Sequence, residues 1–230
     1  MTGLAELPDP GAFLFDLDGT LVDTVETRIR AWMQVFEDLG IPADREHLAR
    51  LIGADGKRLA KEVANAAGRQ IDDDRAEAID RRSGEIFDDL NTNPRPIAGA
   101  RQLLLALGRS SLPWAIATSS RPQQVRASVA ALKLPEEPRI IDGSHVEHAK
   151  PAPDLLLLAG ERLEVAAARC WYIGDSTWDM LAARAAGMVG IGVPYGAVSK
   201  SDLLNAGARA VTSFRSLLAD LQRRGLVTGP

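Results

Sequence analysis

Four separated pieces of the sequence carry residue types that could do chemistry together. The first is Asp16-Leu-Asp-Gly-Thr20, with two carboxylates at i and i+2. On an extended segment that spacing points both side chains the same way, and Gly19 permits a tight turn and close approach of a ligand to backbone. The second is Thr118-Ser119-Ser120, whose hydroxyls could donate to an anion just before a helix opens at Arg121-Pro122. The third is Lys150 in His148-Ala-Lys-Pro-Ala-Pro-Asp154, where two prolines suggest a rigid extended loop and a restrained ammonium. The fourth is Gly174-Asp-Ser-Thr-Trp-Asp179, which sets Asp175 and Asp179 one helical turn apart on one face.

Taken singly, each piece also reads as something ordinary: an acidic turn, a helix cap, or a first-turn acid favoured by the helix dipole. A calcium loop fails, because its sixth and twelfth positions require Gly and Glu and, counted from Asp16, they hold Leu21 and Thr27. Together the pieces are more specific. Carboxylates gathered in one crevice repel one another unless a cation sits among them. Oxygen-only ligands with room for water suit magnesium.

The elements needed to gather them are readable. Ala12-Phe-Leu-Phe15 is a short apolar run that stops at Asp16, the pattern of a buried parallel strand. Similar runs lie at 114–118, 139–141, 171–174, 189–193 and 209–212. Helical stretches alternate with them at 98–109, 121–133, 152–164, 176–186, 200–206 and 213–224. Such alternation predicts an α/β fold, a Rossmann-like parallel sheet with helices on both faces. The carboxyl ends of its strands meet at a shared crevice, which is where all four pieces fall.

The alternation breaks between about 24 and 93. Val25, Ile29, Trp32, Met33, Phe36 and Leu39 share one helical face. Gly40-Ile-Pro42 stops that helix, and further helices are expected at 44–51, 56–67 and 73–90. Asn91-Thr-Asn-Pro-Arg-Pro96 reads as a stiff return linker. The expected organisation is a catalytic core of 1–22 and 94–230, with an all-helical cap of 23–93 inserted after the first strand. Residues 23–95 hold 16 acidic and 12 basic side chains, so the chain's whole net charge of -4 sits on this insert. A solvated helical surface is the plain reading of that charge.

Composition narrows the classes of function. With 46% hydrophobic residues the chain can bury a full core. Its one cysteine, Cys170, allows no internal disulfide and reads as a buried strand residue. The mildly acidic balance argues against a nucleic-acid partner. No apolar stretch approaches a membrane span, and Met1–Gly11 lacks a secretory pattern. A cytoplasmic protein acting on small molecules, as monomer or homodimer, is expected. His145 and His148 lack the further ligands a zinc site needs.

The four pieces resemble the motifs of the haloacid dehalogenase-like hydrolase superfamily, in its phosphoglycolate phosphatase and β-phosphoglucomutase-like branch with a helical cap. They occur in order, as Asp16-Leu-Asp-Gly-Thr-Leu-Val22, Thr118-Ser119, Lys150-Pro151 and Gly174-Asp-Ser-Thr-Trp-Asp179. The likeness runs from residue 12 to about 220. It implies a Mg²⁺-dependent phosphatase in which Asp16 is the nucleophile and forms an aspartyl-phosphate. Asp18 would be general acid and then base. Asp16, the backbone carbonyl of Asp18 and Asp175 would hold the metal. Thr118, Ser119, Gly19 and Lys150 would bind the phosphoryl group, with Asp179 and Ser176 behind them orienting Lys150 or the metal's water.

Departures within the family bear on the reaction. Dehalogenases and phosphonoacetaldehyde hydrolases lack the second acid of the first motif, so Asp18 favours phosphoryl chemistry. The β-phosphoglucomutases share Asp23-Thr24 and Ala31-Trp32, but carry histidine where Arg28 stands and usually valine at Thr20. A phosphosugar mutase or phosphotransferase is thus an alternative reading, and a non-catalytic regulatory binding protein another. In such proteins the cap chooses the leaving group. Its candidate loop is Ile52-Gly-Ala-Asp-Gly-Lys-Arg58, where Lys57 and Arg58, with Arg28, could reach a carboxylate or second anion on a sugar phosphate or phosphoglycolate-like substrate. The same cations also read as solvated helix faces. Trp178 is expected to pack on the cap side of the core.

Overall fold

The computed structural model describes residues 3–228. Its strands are β1 (Ala12–Phe15), β2 (Val22–Asp23), β3 (Arg95–Pro96), β4 (Trp114–Ala117), β5 (Ile140–Ile141), β6 (Cys170–Gly174), β7 (Val189–Gly192) and β8 (Ala210–Val211). Six of them form one parallel sheet in the order β5-β4-β1-β6-β7-β8. Every residue of β1 and β6 is buried, which is why these strands read as unbroken apolar runs rather than as alternations.

The alternation is still there, split between two cores. Phe13, Phe15, Trp171 and Ile173 point to one face, under α5 (Ala100–Gly108) and α10 (Phe214–Arg223). Ala12, Leu14, Cys170 and Tyr172 point to the other, under α7 (Asp154–Arg162) and α8 (Thr177–Ala185). This period of two follows from the pleat. The helices α6 (Pro122–Ala131) and α9 (Lys200–Ala206) complete the layers. Each predicted strand and helix is present, with ends shifted by a residue or two where caps replace helical backbone.

Four helices fill the interval between β2 and β3: α1 (Val25–Asp38), α2 (Arg45–Leu51), α3 (Gly56–Ala66) and α4 (Asp73–Leu90). They bury a separate cluster that includes Ile29, Trp32, Phe36, Leu48, Val63 and Phe87. Asp44, Asp55 and Asp72 start α2, α3 and α4 by accepting the backbone N–H three residues on, which satisfies donors the helix leaves orphaned. Phe36 is fully buried, and trimming it to Ala would cost roughly 3–5 kcal/mol. Trp178, at the start of α8, packs against this cluster and donates its indole N–H to the Arg50 carbonyl at 3.1 Å.

Two expectations are corrected. The stretch 91–96 is not a plain linker: Val22 pairs with Pro96 and Asp23 with Arg95 in an antiparallel ladder between β2 and β3. Two residues per strand are too few to show periodicity, and Pro96 is tolerated because this ribbon has free edges. Lys150 sits in a turn rather than on extended backbone. Among the described residues, no helix is long and apolar enough to cross a membrane.

Candidate active site

Asp16 and Asp175 follow directly on β1 and β6, the two central neighbours of the sheet. The Asp16 N–H still joins the ladder, donating to Ile173 O at 2.9 Å, so the register of the strands brings the two carboxylates together. Carboxylate oxygens of Asp16, Asp175 and Asp179 lie within 4.8 Å of one another, and all three residues are buried. The Lys150 ammonium reaches among them, 2.6 Å from Asp16 Oδ1 and 2.8 Å from Asp179 Oδ1.

Asp179 has no capacity to spare. Its Oδ1 also accepts from the Tyr172 hydroxyl at 2.9 Å, and its Oδ2 accepts from Ser176 N–H at 3.0 Å and Ser176 Oγ at 2.6 Å. Ser176 in return caps α8 by accepting the Asp179 N–H, a reciprocal cap that fixes the acid at the helix start. Asp179 therefore anchors Lys150. Asp175 Oδ1 accepts from the Thr20 hydroxyl at 2.6 Å. Among the described residues no hydrogen bond uses Asp16 Oδ2 or Asp175 Oδ2, which leaves these two oxygens for a ligand.

Burial pushes the Asp16 carboxyl up to about 7, with Lys150 opposing and the Asp179 and Asp18 charges adding. Burial, then the charges of Asp179 and Asp16, push Asp175 well above the carboxylate range. Asp179 is held low: burial would raise it, but Lys150 and the Ser176 hydrogen bonds outweigh that. The same acids hold the Lys150 ammonium firmly charged against its burial, and burial keeps Tyr172 a neutral donor. The residues thus fit a divalent cation. Two desolvated carboxylates with free oxygens and no nitrogen or sulfur donor form a hard, magnesium-like set that a 2+ charge would relieve.

Asp18 faces the other way, towards the helical layer. Its Oδ2 accepts from Arg28 at 2.7 Å and Ser120 Oγ at 2.6 Å, and its Oδ1 accepts from the Thr24 hydroxyl at 2.8 Å. Burial alone would raise this carboxyl, yet the Arg28 charge and those hydrogen bonds hold it below the ordinary range. Pairing with Arg28 favours the ionised form of Asp18 in this arrangement. Arg28, whose guanidinium also stacks 3.5 Å from the centre of the Phe87 ring, belongs with the acid and not with the cations set to meet a second anionic group. Gly19 makes the packing possible: at φ +81 a Cβ there would sit 2.5 Å from Asp175 Oδ2. What approaches its backbone is Asp175.

Asp16, Asp18, Arg28 and Lys150 open on a cavity of about 560 Å³ between core and helical layer. Thr118 and Ser119 line its floor. Thr118 Oγ1 accepts from Ser120 N–H at 3.2 Å, leaving its own proton available, and Ser119 Oγ is buried with no hydrogen-bond partner among the described residues. Lys57 lines the opposite wall but lies 3.8 Å from Glu77. Arg58 does not line the cavity. Its guanidinium binds Glu62 at 2.7 Å and stacks over Trp178, because the start of α3 turns that side chain away from the opening.

Several contributors to the site carry no signal in the sequence. Tyr172 lay in an apolar run buried on both faces, where nothing distinguishes a hydroxyl bearer from a filler. Thr24 binds Asp18 only once the fold brings it there, and Ser120, one of the second piece's hydroxyls, turns to Asp18 and not to an outside anion. Glu77 and Asp80 of α4 bind the Arg121 guanidinium, at 2.5 and 2.9 Å, across 44 and 41 residues of sequence. The acidic charge of the helical insert is therefore partly a wall of the cavity as well as solvated surface.

Comparison with known proteins agrees with this geometry. The sequence profile of the haloacid dehalogenase-like hydrolase family matches residues 13–193. The fructose-1-phosphate phosphatase YqaB of Escherichia coli is 29% identical over 184 residues, covering 78% of this chain and 94% of its own. A phosphoglycolate phosphatase of Xanthomonas campestris is 32% identical over 194 residues, covering 81% and 84%. The crystal structure of a hydrolase from Pseudomonas syringae superposes with a TM-score of 0.87 at 33% identity, covering 92% of this chain and 98% of that one. With its acids at the ends of β1 and β6 and its helical layer above them, the chain belongs to the haloacid dehalogenase-like hydrolases.

Proposed function

We propose that this phosphoric monoester hydrolase cleaves a small-molecule phosphomonoester with Mg²⁺ through an aspartyl-phosphate on Asp16. The observation that carries the reading is the Asp16 carboxylate, held by Lys150 at 2.6 Å with its second oxygen unused among the described residues, in the cavity between core and helical layer. A carboxylate that attacks phosphorus must meet a dianion, and Lys150 and the metal offset that repulsion. Asp16 and Asp175 would hold Mg²⁺, which supplies positive charge to the transferring group. Thr118 Oγ1 and Ser119 have donors to spare for the phosphoryl oxygens. Asp179 and Tyr172 keep Lys150 in place.

Asp18 then serves proton transfer at the leaving oxygen. In the ionised, Arg28-paired state it is ready to accept a proton from the water that cleaves the aspartyl-phosphate. To donate one to the leaving alcohol it must first be released by Arg28. Arg28 sits on α1, so movement of the helical layer is the natural release. Arg28, standing where the β-phosphoglucomutases carry histidine, supports transfer to water over transfer to a second sugar hydroxyl. A cytoplasmic setting and a soluble phosphorylated metabolite as partner fit the same reading.

The experiment is phosphate release from a panel of sugar phosphates, phosphoglycolate and p-nitrophenyl phosphate, with Mg²⁺ and with chelator. The expected result is Mg²⁺-dependent turnover of at least one ester. A folded, metal-supplied protein that releases phosphate from none would falsify the reading.

A further inference from the structure

The half of the cavity that would receive the leaving group is walled by charges that cancel towards the negative. Each cation there already has a partner. Arg28 is paired with Asp18, Lys57 lies 3.8 Å from Glu77, and one nitrogen of Arg121 spans Glu77 Oε1 at 2.5 Å and Asp80 Oδ2 at 2.9 Å. Asp55 and Glu147 line the same space, so carboxylates outnumber the cations that could meet a substrate. Asp80 is fixed in place: a Cβ on Gly56 would fall 1.9 Å from its Oδ1, so that oxygen rests directly on the backbone at the start of α3. Burial raises the Asp80 carboxyl; the Arg121 charge opposes that rise, and the Glu77 and Asp55 charges add to it.

We infer that the leaving group is a neutral polyhydroxylated alcohol whose hydroxyls are read by Asp80 and Glu77, and that a leaving group carrying its own carboxylate or second phosphate is disfavoured. The inference rests on the phosphatase reading above and names the substrate class for that site. The chemistry is direct. A carboxylate offers only acceptors, a sugar or polyol hydroxyl offers a donor, and a hydrogen bond to a charged, partly desolvated acceptor is among the stronger neutral-ligand contacts. A second anion would meet Asp80 and Glu77 at close range and would have to take Arg121 from both. Rejection by like charge is as effective a specificity device as added attraction.

Binding is read separately from turnover. Calorimetry on the Asp16→Asn protein with Mg²⁺ compares hexitol phosphate, glycerol phosphate and phosphoglycolate. Hexitol phosphate is expected to bind on the order of tenfold more tightly than phosphoglycolate, the worth of one hydrogen bond to a charged group. Adding Asp80→Ala should cut that ratio by about the same factor, and Glu77→Gln should move it in the same direction if the alanine variant does not fold. Phosphoglycolate binding as tightly as the polyol ester overturns the inference, and so does an equal loss for both esters in the variants. Phosphate release by the unmutated enzyme separates the two levels. No release from any ester sinks the phosphatase reading, whereas release with phosphoglycolate preferred sinks only the inference drawn from the wall.

Discussion

The floor and the wall of the cavity are built from the same chemistry, carboxylates paired with cations, yet they stand in different solvents. On the floor, the side chains of Lys150, Asp16 and Asp179 are 2%, 10% and 1% exposed. On the wall, Lys57 and Glu77 are 49% and 43% exposed at 3.8 Å. A buried pair that loses one partner leaves an uncompensated charge, whereas an exposed pair is screened and worth little. The floor is therefore held by electrostatics, whereas the Lys57–Glu77 pair of the wall is screened and contributes little to stability. Rate should live in one region and selectivity in the other.

The sharpest way to break that division is at Asp16. Asp16→Asn should lower turnover by on the order of 10⁴-fold or more, measured as phosphate release at saturating Mg²⁺. Residual turnover near that of the unmutated enzyme would move the chemistry elsewhere. Next in size, Lys150→Met leaves Asp16 and Asp179 buried without their cation and should cost about 3–5 kcal/mol of stability at neutral pH. Urea denaturation checks this, and the deficit should shrink as pH falls and the acids protonate.

The metal and pH give a smaller, graded effect. Asp16 takes up its proton near 7 in the fold against 3.8 ordinarily. Between those values the folded state holds more protons than the unfolded one, so this group's contribution to metal-free stability declines as pH rises through about 7. Mg²⁺ competes with that proton. Its stabilisation, read as a rise in Tm, should be larger near pH 8 than near pH 6, and an equal rise at both would contradict the cation fit.

Arg28→Gln removes the charge that holds Asp18 low, so Asp18 should titrate higher. The alkaline limb of kcat/KM against pH, set by the acid that protonates the leaving oxygen, would then move to higher pH. Smallest of all, Glu77→Gln on the wall should change stability by less than about 1 kcal/mol, visible as a Tm within a few degrees of the parent. A collapse there would mean the wall is held as firmly as the floor.

The floor was the part legible in the sequence, and the reason is geometric. Asp16 and Asp175 each end an apolar run, and parallel strands bring such ends to one edge, so position along the chain already implied position in space. Asp179 followed as the residue one helical turn past Asp175, and Lys150 as a lysine beside two prolines in the loop after β5. The wall obeyed no such rule. Arg121 meets Glu77 and Asp80 only through the way α4 lies on α6, and α4 displays acids on its exposed faces as well. Arg28 was singled out, but its partner was misjudged, since nothing in the spacing of 10 residues shows that the turn after β2 folds α1 back over Asp18. Arg58 beside Lys57 was separated from the cavity by the first turn of α3. The β2–β3 ribbon was too short to leave a pattern.

The central claim, that Asp16 carries the phosphoryl group, is tested most directly by trapping it. The enzyme is quenched in acid during steady turnover of a radiolabelled ester, digested, and its labelled peptide sequenced by mass spectrometry. Label is expected on the peptide containing Asp16, absent from Asp16→Asn and lost on treatment with hydroxylamine as an acyl phosphate should be. Label on another residue while turnover proceeds would contradict it.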